Sequence, residues 1–406
     1  MKNALYAQSG GVTSVINASA YGVIKAALNS KDIDNIYVAI NGINGVFNEQ
    51  LADMKKEDPE QIELLKFTPS SAFGSCRRKL KTEEDFIKIF EVFEKYNIHY
   101  FFYNGGNDSM DTVNKIHKYA QKIGYDLKAI GVPKTVDNDL PETDHTPGFG
   151  SIAKYLSVAI LEGTLDVKSM AADSTKVFIL ETMGRHAGWV AASTALAKRH
   201  ESDGPHIILM PEVPFNKEKF FEKIKDTISK YGYCSIAASE GIKYKDGSFV
   251  SARGYQDNFG NVQLGGIGST LANMIKTELN IKTHYAVPDY LQRSGRHISS
   301  QVDVNEAINV GAMAVKYALE GKSGFMVGIE RLMNSPYLST TKLIPLDNVA
   351  NETKLIPEEY ITEDGMFVNE KFIEYALPLI EGEYYPPYLN GIPVYARLKL
   401  ETINKK

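Results

Sequence analysis

The chain has 406 residues, 43% of them hydrophobic and 23% charged, with a formal net charge of −5. That length predicts two or three domains, and the balance is that of an ordinary globular protein. The mild acidity argues against a general nucleic-acid binder, which would show a basic stripe, but leaves room for an anionic substrate held by a few converging cations. No apolar run approaches the roughly 20 residues that cross a membrane, and the first residues lead straight into a strand pattern, so a cytoplasmic protein is expected. Cys76 and Cys234 are the only cysteines, too few for a disulfide framework.

In chain order, β-rich apolar runs fall at 4–7, 36–40, 100–103, 129–132, 177–180, 207–210, 235–238 and 325–329. Between them lie segments with apolar residues at three- and four-residue spacing: 15–28, 86–96, 110–123, 152–165, 187–197, 217–230, 269–279 and 304–319. This alternation predicts an α/β fold of two Rossmann-like, three-layer domains with mostly parallel sheets and the active site in the cleft between them. The junction is expected near 141–148, where Pro141, Pro147 and Gly148 punctuate the chain. The expected division is a first domain of 1–145 plus about 295–340, a second domain of 146–294, and a C-terminal extension of 341–406. The extension, rich in Tyr and Pro at 384–388, is expected to pack on the core or at a subunit contact.

Three glycine-rich turns close apolar runs: Ser9-Gly10-Gly11, Gly105-Gly106-Asn107-Asp108-Ser109, and Gly131-Val132-Pro133-Lys134-Thr135-Val136-Asp137-Asn138-Asp139. Strand ends of this kind gather at one edge of a parallel sheet, where α/β proteins bind ligands. Backbone amides would receive phosphate, carboxylates would receive Mg²⁺, and Lys134 would add a cation, a set suited to phosphoryl transfer. Neither the dinucleotide fingerprint nor the P-loop spacing is present. Asp108 admits two readings, a helix cap or a metal ligand. Further cations stand at Arg77-Arg78-Lys79, Arg185-His186 and Arg293 to His297, each also readable as a solvated turn, and Glu240 ends another run.

Taken together and in this order, these motifs, with Met183-Gly184-Arg185 and Gln292-Arg293, make residues from about 3 to about 335 resemble the phosphofructokinases, most closely their pyrophosphate-dependent branch. The resemblance implies a Mg²⁺-dependent transfer of phosphate from pyrophosphate to the 1-hydroxyl of fructose 6-phosphate, reversible and part of glycolysis, in a homodimer or homotetramer. The alternatives are an ATP-dependent 6-phosphofructokinase and a non-catalytic sugar-phosphate sensor. ATP users of the family usually carry glycine where this chain has Asp108 and Lys134. The resemblance therefore implies that Asp108 occupies the place of the α-phosphate of ATP and that Lys134 contacts the transferring group, the two acting as a couple. It implies Asp137 as the base, with Thr135 and Asp139 supporting the reacting phosphate and its metal and Arg77 reaching the transferred group. Gly10 and Gly11 would meet pyrophosphate through their amides, and Asn107 and Asp108 would be the metal ligands. Val136, Met183, Gly184 and Arg185 would line the substrate, Glu240 would hold a sugar hydroxyl, and His284, Tyr290 and Arg293 would meet the 6-phosphate. Three positions depart from the family pattern: Asn107 replaces an aspartate, and His284 and Lys176 replace arginines.

Overall fold

The computed structural model describes residues 2–251, 266–350 and 352–403. Residues 252–265 of the expected second domain, and 351 and 404–406 of the expected extension, lie outside them.

Among the described residues, apart from a short pair of strands at Tyr388–Leu389 and Ile392–Pro393, eleven strands build two larger sheets: β1 (Lys2–Gln8), β2 (Ile33–Ala39), β3 (Leu51–Asp53), β4 (Ile98–Gly105), β5 (Lys128–Pro133), β6 (Val177–Thr182), β7 (Ile207–Leu209), β8 (Cys234–Ser239), β9 (Thr283–Ala286), β10 (Phe325–Asn334) and β11 (Tyr337–Pro345). The first sheet runs β11-β10-β5-β4-β1-β2-β3, parallel except at its two edge strands. The second runs β7-β8-β6-β9 and is parallel throughout. Each run expected as a strand lies in or against one of these. Parallel strands buried on both faces read as unbroken apolar stretches, which is why they were visible.

Both sheets are covered on both faces. On one face of the first, the helices Ile16–Leu28 and Gln301–Leu319 bury Val23, Ile24, Val310 and Ala314 against Tyr6, Val38, Phe102 and Ile130. These helices nearly touch at the backbone: a Cβ on Gly22 would strike the Ile308 carbonyl oxygen, and one on Gly311 the Ser19 carbonyl oxygen. On the other face, Glu83–Lys95 and Asn107–Ile123 bury Ile89, Phe93, Met110 and Val113 against Leu5, Phe101 and Tyr103. The second sheet is sandwiched between Phe149–Met170 and Lys217–Tyr231 with Ile267–Leu279. No helix among the described residues is long and apolar enough to cross a membrane.

The strand order of the first sheet reverses between β1 and β4. The chain leaves β1 toward β2 and β3, then returns to β4 and continues outward to β5 and β10. The carboxyl ends of β1 and β4 thus flank the switch point, where open α/β sheets bind ligands.

The chain after residue 340 packs on the core, one of its two expected placements, although it starts within a strand. The expected boundary at 341 falls inside β11, which pairs along β10. Farther on, Phe372, Ala376 and Leu379 are buried in the core of the second sheet's domain. The chain then crosses back: Thr402 bridges to Ala52, and the Ile403 N–H donates to the Leu51 carbonyl at 2.8 Å. In the Tyr- and Pro-rich part, Tyr385 and Tyr388 lie on the surface, while Pro386 is buried and Tyr384 packs on Phe67.

Candidate active site

One cleft of about 640 Å³ gathers the carboxyl ends of both sheets. Its wall holds Gly10 and Gly11 after β1, Arg77, Asn107 and Asp108 after β4, Lys134 to Asp137 and Asp139 after β5, Met183 to Arg185 after β6, Glu240 after β8, and Arg293. Of the residues expected at the site, only His284 and Tyr290 do not line it. His284 is exposed on β9, and Tyr290 is 64% exposed, its ring stacked under the Arg293 guanidinium at 4.2 Å. Lys176 stands at the opposite end of β6 and donates to the Ala171 carbonyl at 2.8 Å. A larger cleft of about 730 Å³, lined by Lys198, Lys223 and Asp364 among others, lies away from all of these residues.

The β5 turn is held tightly. Lys134 donates its N–H to the Gly105 carbonyl at 3.0 Å, and its ammonium donates to the Gly11 carbonyl. The Thr135 hydroxyl accepts the Asp137 N–H at 3.1 Å. Asn138 takes φ of +54°, a conformation asparagine tolerates better than most residues, and its buried amide accepts the Thr146 N–H at 3.1 Å. The shape that presents Asp137 is therefore set by Asn138.

The charges in this turn perturb one another. Burial, then Arg293, pushes the Lys134 ammonium down to about 8, against the pull of Asp137 and Asp139. Burial raises the Asp137 carboxyl well above the ordinary carboxylate range, helped by Asp139 and Glu240. Burial likewise raises Asp139 and Glu240. A carboxylate raised toward neutrality beside cations is suited to accept a proton. Among the described residues the buried Arg293 Nε finds no hydrogen-bond partner, and a bound anion would satisfy such a donor.

The structure revises three expectations. The Gly10 N–H donates to the Cys76 carbonyl at 3.0 Å, so its amide is spent within the protein and Gly10 contributes shape (φ +75°), which leaves the expected donor role to Gly11. Asp108 does not cap its helix: Gly106 holds the cap position without a side-chain bond, and Asp108 sits exposed in the first turn, 3.1 Å from the Lys79 ammonium. Among the described residues no ion pair joins Asp108 to Lys134; they occupy the mouth and the floor of the same cleft. Of the Arg77–Lys79 run, Arg78 stacks on Phe47 at 3.7 Å and pairs with Asp85, which leaves Arg77 as the residue whose charge is felt by Lys134.

For Mg²⁺, the donors here are hard oxygens, Asp108 at the mouth with Asn107 beside it. Among the described residues no cluster of three His, Cys, Asp or Glu side chains forms a protein-only cage. Mg²⁺ takes one or two carboxylates and completes its shell from phosphate and water.

Behind the turn lies a buried charge relay that sequence reading missed. His145 bonds Asp144 through Nδ1 at 2.7 Å and Glu306 through Nε2 at 2.5 Å, and Arg331 pairs with Asp144 at 2.9 Å. Burial alone would lower His145, but Glu306 and Asp144 carry it up to about 9. A raised folded value stabilises the protonated form. The contribution is full below about 6.5 and is lost as pH rises toward 9, about 3 kcal/mol in all. Denaturation midpoints of the wild type should therefore fall between pH 6.5 and 9 relative to His145→Gln, and parallel curves for the two proteins would refute the relay.

Two parallel-sheet domains closing on phosphate-ready turns define a sugar-phosphate phosphotransferase of one family: the Phosphofructokinase profile matches residues 3–318, and the chain belongs to that family. Within it, the chain is 49% identical to the pyrophosphate–fructose 6-phosphate 1-phosphotransferase of Halomonas elongata, over 100% of this chain and 98% of that one. It is similar to the crystal structure of the pyrophosphate-dependent phosphofructokinase from Nitrosospira multiformis, with a TM-score of 0.94 and 49% identity over 100% of this chain and 98% of that one. The corresponding enzyme from Marinobacter aquaeolei gives 0.93 and 48%, with the same coverage.

Proposed function

We propose that this chain is a pyrophosphate-dependent phosphofructokinase. It moves a phosphoryl group from pyrophosphate to the 1-hydroxyl of fructose 6-phosphate, giving fructose 1,6-bisphosphate and orthophosphate. The observation that carries the reading is the placement of Asp137 beside Lys134 and Arg293 on the floor of the cleft between the two sheets. Asp137 takes the hydroxyl proton as the oxygen attacks phosphorus, and the bond from phosphorus to the bridging oxygen breaks as orthophosphate leaves. Lys134 and Arg77 neutralise charge on the phosphoryl oxygens, the dominant contribution in this class of reaction. Met183, Gly184, Arg185 and Glu240 hold the sugar, and Arg293 meets a phosphate. Asp108 and Asn107 would hold Mg²⁺ together with pyrophosphate oxygens, and the ion would supply further charge neutralisation there. The reaction is reversible and stands in glycolysis, in the cytoplasm. His284 and Tyr290, exposed in one chain, reach substrate from a neighbouring copy in a homodimer or homotetramer.

The test is a donor comparison on purified protein with fructose 6-phosphate, with magnesium present and after its removal by a chelator. Turnover should be faster with pyrophosphate than with ATP at equal concentration and should vanish without magnesium. Faster turnover with ATP, or undiminished turnover after chelation, would reject the corresponding part of the reading.

A further inference from the structure

The segment after β11 lies beyond the family match, which ends at residue 318, yet it touches both halves of the cleft. Thr353 lines the cleft, and the Glu352 carbonyl accepts the Asn107 side-chain amide. The Lys354 N–H donates to the Asp139 carbonyl at 2.8 Å. Its ammonium donates to the carbonyls of Thr143 at 3.1 Å and Asp144 at 2.9 Å. One residue thus ties three carbonyls of the loop that carries Asp137.

The same segment reaches the acceptor half. The Lys354 carbonyl accepts the Trp189 indole N–H at 2.9 Å, and the Lys354 ammonium sits 5.3 Å from the Trp189 ring centre. The Ile356 N–H donates to Glu212 at 3.2 Å, and Glu212 also accepts the Gly188 N–H at 2.9 Å, four residues after Gly184. Tyr375 adds a second tie. Its hydroxyl accepts the Asn138 amide at 2.9 Å and donates to the Asp144 carbonyl at 2.8 Å. A lysine held this way is costly, since burial pushes its ammonium down to about 8. An apolar side chain would pack there without that cost but would take the ammonium from the Thr143 carbonyl and leave the Asp144 carbonyl to Tyr375 alone.

We propose that Lys354, seconded by Tyr375, is a positioning residue: it holds the Lys134–Asp139 turn at its working distance from the sugar-binding turn, so the C-terminal segment is a built-in strap that makes transfer possible. This rests on the transfer reading above. Misplacing reacting groups by about 1 Å can cost about a hundredfold in rate, whereas substrate grip resides in other residues.

The experiment compares wild type, Lys354→Met, Asp137→Asn and the double variant, with pyrophosphate, fructose 6-phosphate and magnesium. Lys354→Met should lower kcat about ten- to a hundredfold and leave both KM values within about threefold. In the Asp137→Asn background the same change should cost less than about threefold, because a residue acting through Asp137 has nothing left to position. A kcat within twofold of wild type, a change confined to KM, or an equal loss in both backgrounds would overturn the strap. Should Lys354→Met fail to fold, Tyr375→Phe, which deletes one oxygen and keeps the ring, should show the same non-additivity with a smaller loss. Absence of pyrophosphate-dependent transfer in the wild type would instead defeat the transfer reading, so the two failures are distinct.

Discussion

Asp137→Asn is expected to cost about a hundred- to ten-thousandfold in turnover, the range in which a positioned general base contributes. Binding of fructose 6-phosphate and pyrophosphate should persist, because the change is nearly isosteric. The Asp137 N–H to Thr135 bond and the Asn138 clamp, which set the turn, do not involve the carboxylate. The substitution also removes a negative charge that faces Asp139 and Glu240, so it relieves repulsion and should not destabilise the fold. Steady-state kinetics with calorimetric binding would separate the two effects. Binding retained with turnover lost marks a base, and also excludes a sensor on this fold, which would have no turnover to lose. An unaffected rate would require another base.

The second large effect is expected at Lys134. Lys134→Met should lower pyrophosphate-dependent kcat by about a hundred- to a thousandfold, as for loss of one preorganised charge-stabilising donor in a site sheltered from water. Methionine keeps the buried stem and loses the ammonium that reaches the Gly11 carbonyl. Lys134→Gly should lose at least as much. Asp108→Gly acts elsewhere. Its carboxylate is exposed at the mouth, so stability should change little, and the readout is the donor: pyrophosphate turnover falls and the ratio of pyrophosphate to ATP rates narrows. Because Asp108 pairs with Lys79 and not with Lys134, the two losses should multiply in the double variant. Strong non-additivity would restore the direct couple expected from the motifs alone, and full pyrophosphate activity without Lys134 would remove its role.

The two changes also show how far the motifs reached. Asp108 and Lys134 were legible because each follows a glycine-marked strand end, and strand ends converge at a known edge of a parallel sheet. Their depth was not legible: burial depends on what the rest of the chain lays over them. The same holds for the Gly10 amide, consumed by a carbonyl 66 residues away at Cys76. Two of the edge strands, β9 and β11, were missed for a related reason. Thr283–Ala286 is largely solvent-facing, so its residues carry no apolar run. The strand Tyr337–Pro345 carries the polar run Ser339-Thr340-Thr341-Lys342 at its centre and is mostly part-exposed, so it shows no unbroken apolar stretch.

Local chemistry, written in short stretches of chain, determined the alternating helices and strands, the phosphate-ready turns and the residues expected to do the reaction. The three-dimensional packing alone decided which of those residues sit on the floor of the cleft, which stay at its mouth and which face away. It also decided that the His145 relay and the Lys354 strap exist, since each joins groups more than 150 residues apart in the chain. Hydrogen bonds and ion pairs between distant residues leave no periodic trace in a sequence, because they depend on where the sheets bring the chain, not on what stands next to what.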